Sequence, residues 1–536
     1  MVGFVRWIES IGLGFIYNAQ TNALVKIVSN DDFRNITQKI LSLRGVDKEK
    51  FLNSGEFSTN EIDSFVFENN NEEDALKELS DYELINNLVE YTLSNAYNRK
   101  LVLEVTDSCN LRCKYCSYTI NSQPSRTKAK GHSTNFLSKE IAVSAIDAYF
   151  REYANLLDRL PNRRLKDIFN KRNPPVLGFY GGEPLLCFTM IEELVDYTKN
   201  SYQDLNPTFS VTTNGTLLTP SIIDFLAENK VELSISFDGA KSQHDKNRVY
   251  VDGSGSFDDV NRSLAYLRKY HRDYSLNNVT IQAVDAPNYN KLENDSYFRQ
   301  ISLDGKVGGV SNLMFLAYND YGCEEISAHN AYVHNNTDEL DILNDVVKFG
   351  KLSDRELDKK RFIANYLSQD ARLKEVLLRM LRVTRKLYKG SLLPGKIYNS
   401  CYLTRSCLFV DANSNYHICE RTDFSFPVGS VNEGINKTKL AYLYREFNNI
   451  RHSKRCNECW LRALCPVCVA HLIKDGSLTL PSEIFCDNLK ASIVIYLTAG
   501  FILANLFPET LDTIDEMFSE VNDMSLDSFL NVYFRS

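Results

Sequence analysis

The chain has 536 residues, roughly three to four times the length of a typical domain, so we expect more than one hydrophobic core. Hydrophobic residues make up 43% and charged residues 24% of the chain, which excludes a disordered or fibrous protein. The net charge of -8 gives no chain-wide basic surface, so we expect no nucleic-acid partner.

The first 98 residues are predicted to form a separate module of strands and helices. The runs GFIY and ALVKIV flank the turn-forming NAQTN and predict a β-hairpin over residues 12–28. Helical patterns follow over residues 30–40 and 72–98, with the acidic run ENNNEED between them as a surface loop. The amino terminus has no small-residue cleavage site and carries an acidic residue within its apolar stretch. We therefore expect no signal peptide and a cytoplasmic protein.

From residue 99 to 318, short apolar runs alternate with helix-length segments, which is typical of βα units with a parallel sheet. The runs are LVLEV, VLGFY, FSVTTN, VELSISF and VTIQAV. Residues 319–398 have a charged, helical pattern without a chemical motif, and residues 399–490 hold the carboxyl-terminal cysteines. Residues 491–536 are predicted to be helical. Their apolar part, 491–507, fits a buried helix better than a membrane span, so we expect no membrane association.

The thirteen cysteines are far fewer than the roughly 8–10% of residues found in a disulfide scaffold, and they are unevenly placed. Three fall within residues 109–116 and eight within residues 401–486. Such clustering favours metal ligation in a reducing compartment over disulfide bonds. Cys187 and Cys323 stand apart, and we expect both to be buried apolar residues.

Cys109, Cys113 and Cys116 follow the run LVLEV with the spacing C-x3-C-x2-C. Three thiolates on one short loop can hold three irons of a [4Fe-4S] cluster and leave the fourth iron open to an exchangeable ligand. Zinc is the alternative, with a residue such as His132 as fourth ligand. Three cysteines at this spacing beside one strand fit zinc poorly, however.

This loop and the short motifs that follow it in order resemble the radical S-adenosylmethionine (SAM) enzymes. FYGGEPLL resembles the family's second-strand motif, and TTNGTLL and SISFDG resemble its fourth- and fifth-strand motifs. The resemblance implies an α/β fold class, a partial (β/α)6 TIM-like barrel whose functional groups lie at the carboxyl ends of the strands. By the same resemblance the GGEP edge would meet the SAM amino group, Arg248 the SAM carboxylate and Tyr115 the adenine. The implied SAM-binding residues are Tyr115, Gly181, Gly182, Glu183, Pro184, Thr213, Asn214, Ser236, Asp238 and Arg248.

Eight carboxyl-terminal cysteines are the number needed for two fully ligated four-cysteine clusters. Taken alone, the spacing C-x2-C-x5-C-x2-C over residues 456–468 favours a zinc knuckle. Beside the motifs above, the region resembles the SPASM domain, an auxiliary-cluster extension of peptide- and protein-modifying radical SAM enzymes. That resemblance implies three [4Fe-4S] clusters in a C-terminal Fe-S cluster domain. The first auxiliary cluster would bind Cys401, Cys407, Cys419 and Cys468, and the second Cys456, Cys459, Cys465 and Cys486.

Two positions depart from the SPASM pattern. Ser414 stands five residues before the third ligand, where the family commonly has glycine, and the last spacing is x2 where x3 is frequent.

The resemblance implies a 5'-deoxyadenosyl radical that abstracts hydrogen from an unactivated carbon in a site shielded from solvent. We expect a ribosomally made precursor peptide as substrate, with a thioether crosslink, a carbon-carbon crosslink or an epimerised residue as product. Residues 1–98 would then form a winged-helix-like module that binds the leader as an added strand, although a structural cap on the barrel is an equal alternative. The expected partners are this peptide and an electron donor such as a ferredoxin or flavodoxin.

Two other functions stay open. An anaerobic sulfatase-maturating enzyme oxidises a Ser or Cys to formylglycine, and that group has an Asp directly after the third SPASM cysteine as proton acceptor. This chain has Glu420 there, which makes Glu420 a candidate catalytic base. The third hypothesis is a non-catalytic Fe-S or zinc binding protein, against which the intact cysteine triad and GGEP argue.

Overall fold

The structure is a computed structural model that describes most of the barrel and of the cysteine-rich region. The described residues are 2–8, 13–18, 23–27, 64–65, 85–86, 89–90, 93, 100–116, 118, 132–285, 293–294, 297, 313–317, 404, 407–422, 424–462, 465, 467–487 and 489–490.

The amino-terminal strands form an antiparallel sheet. β1 (Val2–Ile8), β2 (Leu13–Asn18), β3 (Ala23–Ile27) and β4 (Ser64–Phe65) lie side by side in that order. β2 and β3 are the predicted hairpin, with Asn18 opposite Ala23 beside the turn. β1 is an additional strand that pairs with β2. The described residues between 85 and 93 are helical, as expected for that part of the module.

A parallel sheet forms the centre of the fold. Its six strands lie side by side in chain order: β5 (Lys100–Thr106), β6 (Val176–Gly181), β7 (Thr208–Thr213), β8 (Glu232–Ser236), β9 (Val279–Asp285) and β10 (Leu313–Ala317). Every neighbouring pair is parallel. The five apolar runs form β5 to β9, so the predicted α/β fold class with a parallel, partial-barrel sheet is confirmed.

The strand numbers given to two motifs were wrong. TTNGTLL and SISFDG follow β7 and β8, the third and fourth strands of the parallel set rather than the fourth and fifth. The reason is that β7 directly follows β6, which ends at the GGEP motif, and no strand is inserted between them.

Amphipathic helices cover this sheet. They are α1 (Lys139–Asp158), α2 (Arg163–Arg172), α3 (Phe188–Tyr202), α4 (Pro220–Glu228), α5 (Lys241–Asn247), α6 (Phe257–Tyr270) and α7 (Arg272–Asn278). Ser138, Asn162 and Thr219 cap α1, α2 and α4 by accepting a backbone N–H of the first turn. The basic helix α2 leads into the start of β6, so it lies at the end of the barrel opposite the cysteine loop.

The cysteine-rich region continues the barrel sheet. β11 (Leu408–Val410) pairs in parallel with β5, on the side away from β6. β12 (Asn415–His417), β13 (Gly429–Ser430) and β14 (Gly434–Ile435) follow in antiparallel order. They are followed by α8 (Lys437–Arg451), the short α9 (Lys454–Asn457) and a hairpin of β15 (Ile473–Lys474) and β16 (Ser477–Leu478).

One hydrophobic core joins the two regions. It runs from Leu101 and Ile235 in the parallel sheet to Val428 and Phe447 in the cysteine-rich region. In the part of the chain that the structure describes, no helix is long and apolar enough to cross a membrane. Residues 491–507, where we expect a buried helix, lie outside the described residues.

Candidate functional site

The loop after β5 places Cys109, Cys113 and Cys116 at the carboxyl end of the parallel sheet, as partly buried thiols that belong to no disulfide bond. Burial raises the pKa of Cys113 to about 12, Arg248 lowers it, and Cys116 raises it further. Burial also raises the pKa of Cys109, as do Glu183 and the other two cysteines of the loop. Three buried thiols that oppose one another's ionisation are stabilised as thiolates when they share a cationic metal cluster. The donor set therefore fits a three-cysteine iron-sulfur site.

Hydrogen bonds from β7 hold this loop. Asn214 Nδ2 donates to Asn110 Oδ1 at 2.8 Å and lies 3.8 Å from Cys109 Sγ. Asn110 Nδ2 in turn donates to Thr216 Oγ1 at 2.9 Å. Asn214, one of the implied SAM-binding residues, therefore lies directly beside the first cysteine.

Residues 132–135 run across the start of the loop. Ser133 Oγ lies 2.6 and 2.7 Å from the two carboxylate oxygens of the buried Asp107. His132 Nε2 lies 3.9 Å from Cys116 Sγ, and its ring stacks on Tyr118. His132, the fourth ligand of the zinc alternative, is thus next to the third cysteine. Within the described ranges, no group of three His, Cys, Asp or Glu side chains could hold a single metal ion. The thiolates of a four-iron cluster, in contrast, each bind a different iron.

The glycines of the GGEP motif pack against the end of β5. The Gly182 N–H donates to Thr106 O at 2.9 Å, and the Glu183 N–H donates to Ser108 O at 2.8 Å. A Cβ atom on Gly181 would lie 2.0 Å from Thr106 O, and one on Gly182 would lie 2.2 Å from Ser108 O. The resemblance implies that this edge meets the SAM amino group. In the structure, the two glycines allow close approach to the backbone that leads into the cysteine loop.

Glu183 is fully buried and links the ends of β6 and β7. Its Oε1 accepts hydrogen bonds from Thr213 Oγ1 at 2.7 Å and the Leu185 N–H at 3.0 Å. Its Oε2 accepts from the Asn214 N–H at 2.7 Å. Burial raises the pKa of Glu183 to about 7, despite these three donors. Pro184 follows, buried, in the turn Pro184–Cys187.

Tyr115, Asp238 and Arg248 form a buried group beside Cys113. The Tyr115 hydroxyl donates to Asp238 Oδ2, and Arg248 Nε lies 3.1 Å from the same oxygen. The Arg248 guanidinium also lies over the Tyr115 ring, 5.3 Å from its centre. Ser236 is half-buried at the end of β8. The structure thus brings the implied SAM-binding residues of three chain segments to one end of the sheet.

His244 supports this group, and the sequence reasoning missed it. Its Nδ1 accepts from the Asp238 N–H at 3.3 Å, while Nε2 lies 3.0 Å from Ser256 Oγ. The Ser256 hydroxyl donates to Arg248 O at 2.8 Å. Burial lowers the pKa of His244 to about 4, so the ring is neutral near pH 7. A lone His in a polar stretch carries no sequence signal for this role.

Glu104 is a second residue that the sequence reasoning missed. This fully buried carboxylate accepts from Tyr118 Oη at 2.6 Å and from the Ala412 N–H at 2.8 Å. It therefore joins the end of the cysteine loop to the β11–β12 turn. Its signal in the sequence is one acidic residue in the middle of the apolar run LVLEV.

The described carboxyl-terminal cysteines form two groups of neighbouring thiols. In the first group, burial raises the pKa of Cys419, and Glu420 and Cys468 raise it further; Cys407 is similarly affected by Glu420 and Cys419. In the second, burial raises the pKa of Cys486 to about 11, Arg455 lowers it, and Cys465, Cys456 and Cys459 raise it further. The cysteines in each group are those that the SPASM resemblance assigns to one auxiliary cluster. Cys401 of the first set lies outside the described residues.

The candidate base Glu420 lies against the first group, with Oε2 3.5 Å from Cys407 Sγ. Cys187 is half-buried and packs against the hydrophobic core, while Cys323 lies outside the described residues.

Several known proteins resemble this chain. The radical SAM cyclopropyl synthase TigE of Paramaledivibacter caminithermalis is 29% identical over 40% of this chain and 46% of that protein. The cysteine-type anaerobic sulfatase-maturating enzyme of Clostridium perfringens is 28% identical over 33% of this chain and 42% of that enzyme. The matched part spans about half the length of these relatives.

Among solved structures, anSMEcpe with bound AdoMet and the Kp18Cys peptide has a TM-score of 0.49 and 19% identity, covering 77% of this chain and 99% of that chain. Streptococcus suis SuiB bound to its precursor peptide SuiA has a TM-score of 0.39 and 13% identity, covering 90% and 99%. Both TM-scores lie below 0.5, so neither chain superposes closely on this one over its whole length.

The model of the Radical SAM superfamily matches residues 103–292. This range begins within β5 and includes the three-cysteine loop, the GGEP edge and the buried group of Tyr115, Asp238 and Arg248. Proteins of this superfamily use a [4Fe-4S] cluster and SAM. Residues 103–292 of the chain therefore form a radical SAM domain.

Proposed function

We propose that the whole chain is a radical SAM enzyme that modifies a ribosomally made precursor peptide. The product would carry a thioether crosslink, a carbon-carbon crosslink or an epimerised residue. The observation that carries the proposal is that the three cysteine thiols of one loop lie with Tyr115, Asp238 and Arg248 at the carboxyl ends of parallel strands. Functional groups of barrel enzymes lie at this end.

Cys109, Cys113 and Cys116 would hold the [4Fe-4S] cluster and leave one iron for SAM. When bound, the two cofactors supply the 5'-deoxyadenosyl radical that abstracts hydrogen. Arg248 would bind the SAM carboxylate through its guanidinium, and Tyr115 would contact the adenine. The remaining residues of the SAM pocket would be Gly181, Gly182, Glu183, Pro184, Thr213, Asn214, Ser236 and Asp238.

The carboxylate of Glu183 is already engaged in three hydrogen bonds within the fold. We therefore assign recognition of the SAM ammonium to the backbone carbonyls of the GGEP edge, which the Glu183 side chain holds in place. Glu183 is fully buried, so its hydrogen bonds lie in a low-dielectric interior, where they are stronger than in water.

The carboxyl-terminal cysteines would hold two further [4Fe-4S] clusters, giving three in the chain. Cys401, Cys407, Cys419 and Cys468 would bind the first auxiliary cluster, and Cys456, Cys459, Cys465 and Cys486 the second. These clusters would accept the electron that the product radical releases when it is oxidised. A ferredoxin or flavodoxin would supply the electron for SAM cleavage.

Residues 1–98 would bind the leader of the precursor. β1 and β4 are the outer strands of the described four-stranded sheet. An extended peptide can add to such an edge through main-chain hydrogen bonds. Residues 319–398 would connect the barrel to the cysteine-rich region, and residues 491–536 would close the chain with helices.

Metal content and SAM cleavage test the catalytic part of the proposal. The full chain, reconstituted anaerobically with iron and sulfide, is expected to bind about twelve Fe for three four-iron clusters. With SAM and a reductant it should release 5'-deoxyadenosine. Cys113→Ala should lose about four Fe and all cleavage, while Cys187→Ala, outside all three ligand sets, should keep the full iron content and the cleavage. Abundant zinc with little iron, or intact clusters without cleavage, would favour the non-catalytic binding protein.

Mass spectrometry of candidate peptides tests the substrate. A precursor peptide encoded beside this protein should lose two hydrogen atoms if a crosslink forms. An epimerised residue would instead take up deuterium from deuterated solvent without that loss. A peptide lacking its leader should be modified more slowly, and modification independent of the leader would contradict the role of residues 1–98.

The second candidate is a sulfatase-maturating activity, favoured by the carboxylate of Glu420 directly after Cys419 and by the resemblance to the C. perfringens enzyme. In that case Glu420 would accept the proton from the oxidised Ser or Cys. A sulfatase-derived peptide, and not a neighbouring precursor, would then yield an aldehyde that reacts with a hydrazide probe.

A further inference from the structure

The two carboxyl-terminal cysteine groups lie in opposite electrostatic surroundings. In the first group, Glu420 Oε2 lies 3.5 Å from Cys407 Sγ, and Glu420 raises the pKa of both Cys407 and Cys419. Two cations also lie near this group, Lys100 near Cys407 and Arg421 near Cys419. The charged group in contact with Cys407 Sγ is the Glu420 carboxylate.

Cations dominate the second group. Arg455 Nη2 lies 3.8 Å from Cys486 Sγ, and Arg455 Nε is buried without a hydrogen-bond acceptor among the described residues. Arg451 is almost fully buried, donates to Arg462 O and lowers the pKa of Cys465. Lys490 also lies near this group, where Asp487 pairs with it at 2.9 Å.

These charges have a defined effect on an iron-sulfur cluster. Reduction adds one negative charge to the cluster, so a nearby cation favours reduction and a nearby anion opposes it. Hydrogen bonds from Arg455 to a ligating sulfur act in the same direction as its charge. Partial burial strengthens both effects, because little solvent lies between the charge and the thiolate.

We propose that Glu420 lowers the reduction potential of the first auxiliary site and that Arg455 raises that of the second, so that the second site has the higher potential. The inference rests on the proposed function, since it requires a [4Fe-4S] cluster at each site. An electron that arrives at the first site then passes to the second, which returns the first to its oxidised form.

The fold gives this order a direction. Cys407 and Cys419 of the first group flank the β11–β12 hairpin, whose strand β11 pairs in parallel with β5. Leu408 lies opposite Leu101, so Cys407 lies beside the start of β5. The second group follows α8, farther along the chain. One electron therefore leaves the product radical, which is thereby oxidised to the closed-shell product. The electron reduces the first site, moves to the second and departs to an oxidised one-electron carrier protein. The barrel-side site is thereby ready for the next turnover.

An EPR-monitored redox titration of the anaerobically reconstituted full chain tests the order. The second site is expected to have the higher midpoint potential, and Cys486→Ser assigns its signal. Arg455→Gln should shift the second midpoint downward and leave the first unchanged. Lys454→Gln is the matched control, because it removes an exposed positive charge from the adjacent position and should shift neither midpoint.

Glu420→Gln provides an independent arm. It should raise the first midpoint toward the second, whereas Glu433→Gln, on an exposed turn of the same region, should not. Equal or reversed midpoints in the wild type, or equal shifts in Arg455→Gln and Lys454→Gln, overturn the inference. A chain that binds only about four Fe would instead contradict the proposed function, because the two auxiliary clusters would be missing. The two failures are therefore distinguishable.

Discussion

Ser414 is a residue in the cysteine-rich region that departs from the SPASM pattern, and its backbone conformation shows what that departure costs. It has φ of +70°, in the left-handed region that favours glycine, and it closes the turn between β11 and β12. This is the position at which the SPASM pattern, which the region resembles, commonly has glycine. The backbone conformation explains that preference.

Ser414→Gly should therefore stabilise the protein. Removing the Cβ strain gains about 1–2 kcal/mol, and the greater freedom of glycine in the unfolded chain offsets part of it, leaving about 0.5–1 kcal/mol. The urea midpoint, followed by tryptophan fluorescence, should rise, because Trp460 lies in the same region. Ser414→Ala keeps the Cβ and should show no gain. An equal rise in both variants would contradict the strain argument.

His244 should make the radical SAM domain sensitive to acid. Its folded-state pKa of about 4 lies below the unfolded value of 6.5, so the unfolded chain binds the proton more tightly. Stability is then complete above pH 6.5 and falls as the pH drops toward 4, by up to about 3 kcal/mol. Urea midpoints of the cluster-free protein measured across this range should show the fall. His244→Gln should flatten it and His271→Gln, which changes a partly exposed histidine, should not.

At this scale, the sequence predicts residues whose chemistry is tied to a motif, and it misses residues defined by their surroundings. Cys109 and Gly182 could be named because spacing and neighbours mark them. Glu104 and His244 could not be named, because their roles come from burial and from partners distant in the chain. No local pattern encodes those partners.

At the scale of elements, the strands of the barrel were predictable because each is a run of apolar residues between helix-length segments. β11 was not, because three residues are too few to show a pattern and its partner β5 lies about 300 residues away in sequence. β1 was also missed, although its pairing with β2 extends the predicted hairpin.

The junction of β5 and β6 predicts a steep cost for any side chain at Gly182. A Cβ there would lie 2.2 Å from Ser108 O and 2.6 Å from Asp107 O, both backbone atoms that cannot move without displacing the cysteine loop. Gly182→Ala should therefore lower stability by more than the roughly 1–3 kcal/mol of ordinary overpacking and weaken SAM binding. Gly253→Ala is the control that separates the strain of a positive φ from the steric overlap of an added Cβ atom. Gly253 has φ of +86° but nothing within 4 Å of the added Cβ, so only about 1 kcal/mol is expected. Calorimetry measures the SAM affinity of each variant, and thermal unfolding measures its stability. If Gly182→Ala and Gly253→Ala lost similar amounts of stability, the steric overlap at Gly182 would be contradicted.

At the scale of the molecule, the barrel and the cysteine-rich region share a hydrophobic core and one sheet, which has ten strands among the described residues. Four residues separate Glu104 from Cys109, and the hairpin that Glu104 contacts is flanked by Cys407 and Cys419. The sequence predicted a barrel over residues 99–318 and a SPASM domain over residues 399–490, joined by residues 319–398. In the structure β11 of the cysteine-rich region pairs with β5 of the barrel, so we expect the two regions to unfold together.

Glu104 tests this coupling. Glutamine at this position has one acceptor oxygen in place of two, so it cannot accept from both Tyr118 Oη and the Ala412 N–H. Leaving a buried donor without an acceptor costs about 1–3 kcal/mol, and Glu104→Gln should lower the urea midpoint accordingly. Tyr118→Phe removes one of the two donors. The double variant should therefore lose less than the sum of the single losses. Glu232→Gln, on the exposed start of β8, is the matched control and should change little.

In Glu104→Gln, the fluorescence of Trp460 and the loss of helical circular dichroism should still follow one transition at the lower midpoint. A fluorescence transition that keeps its wild-type midpoint would show that the cysteine-rich region folds independently of the barrel.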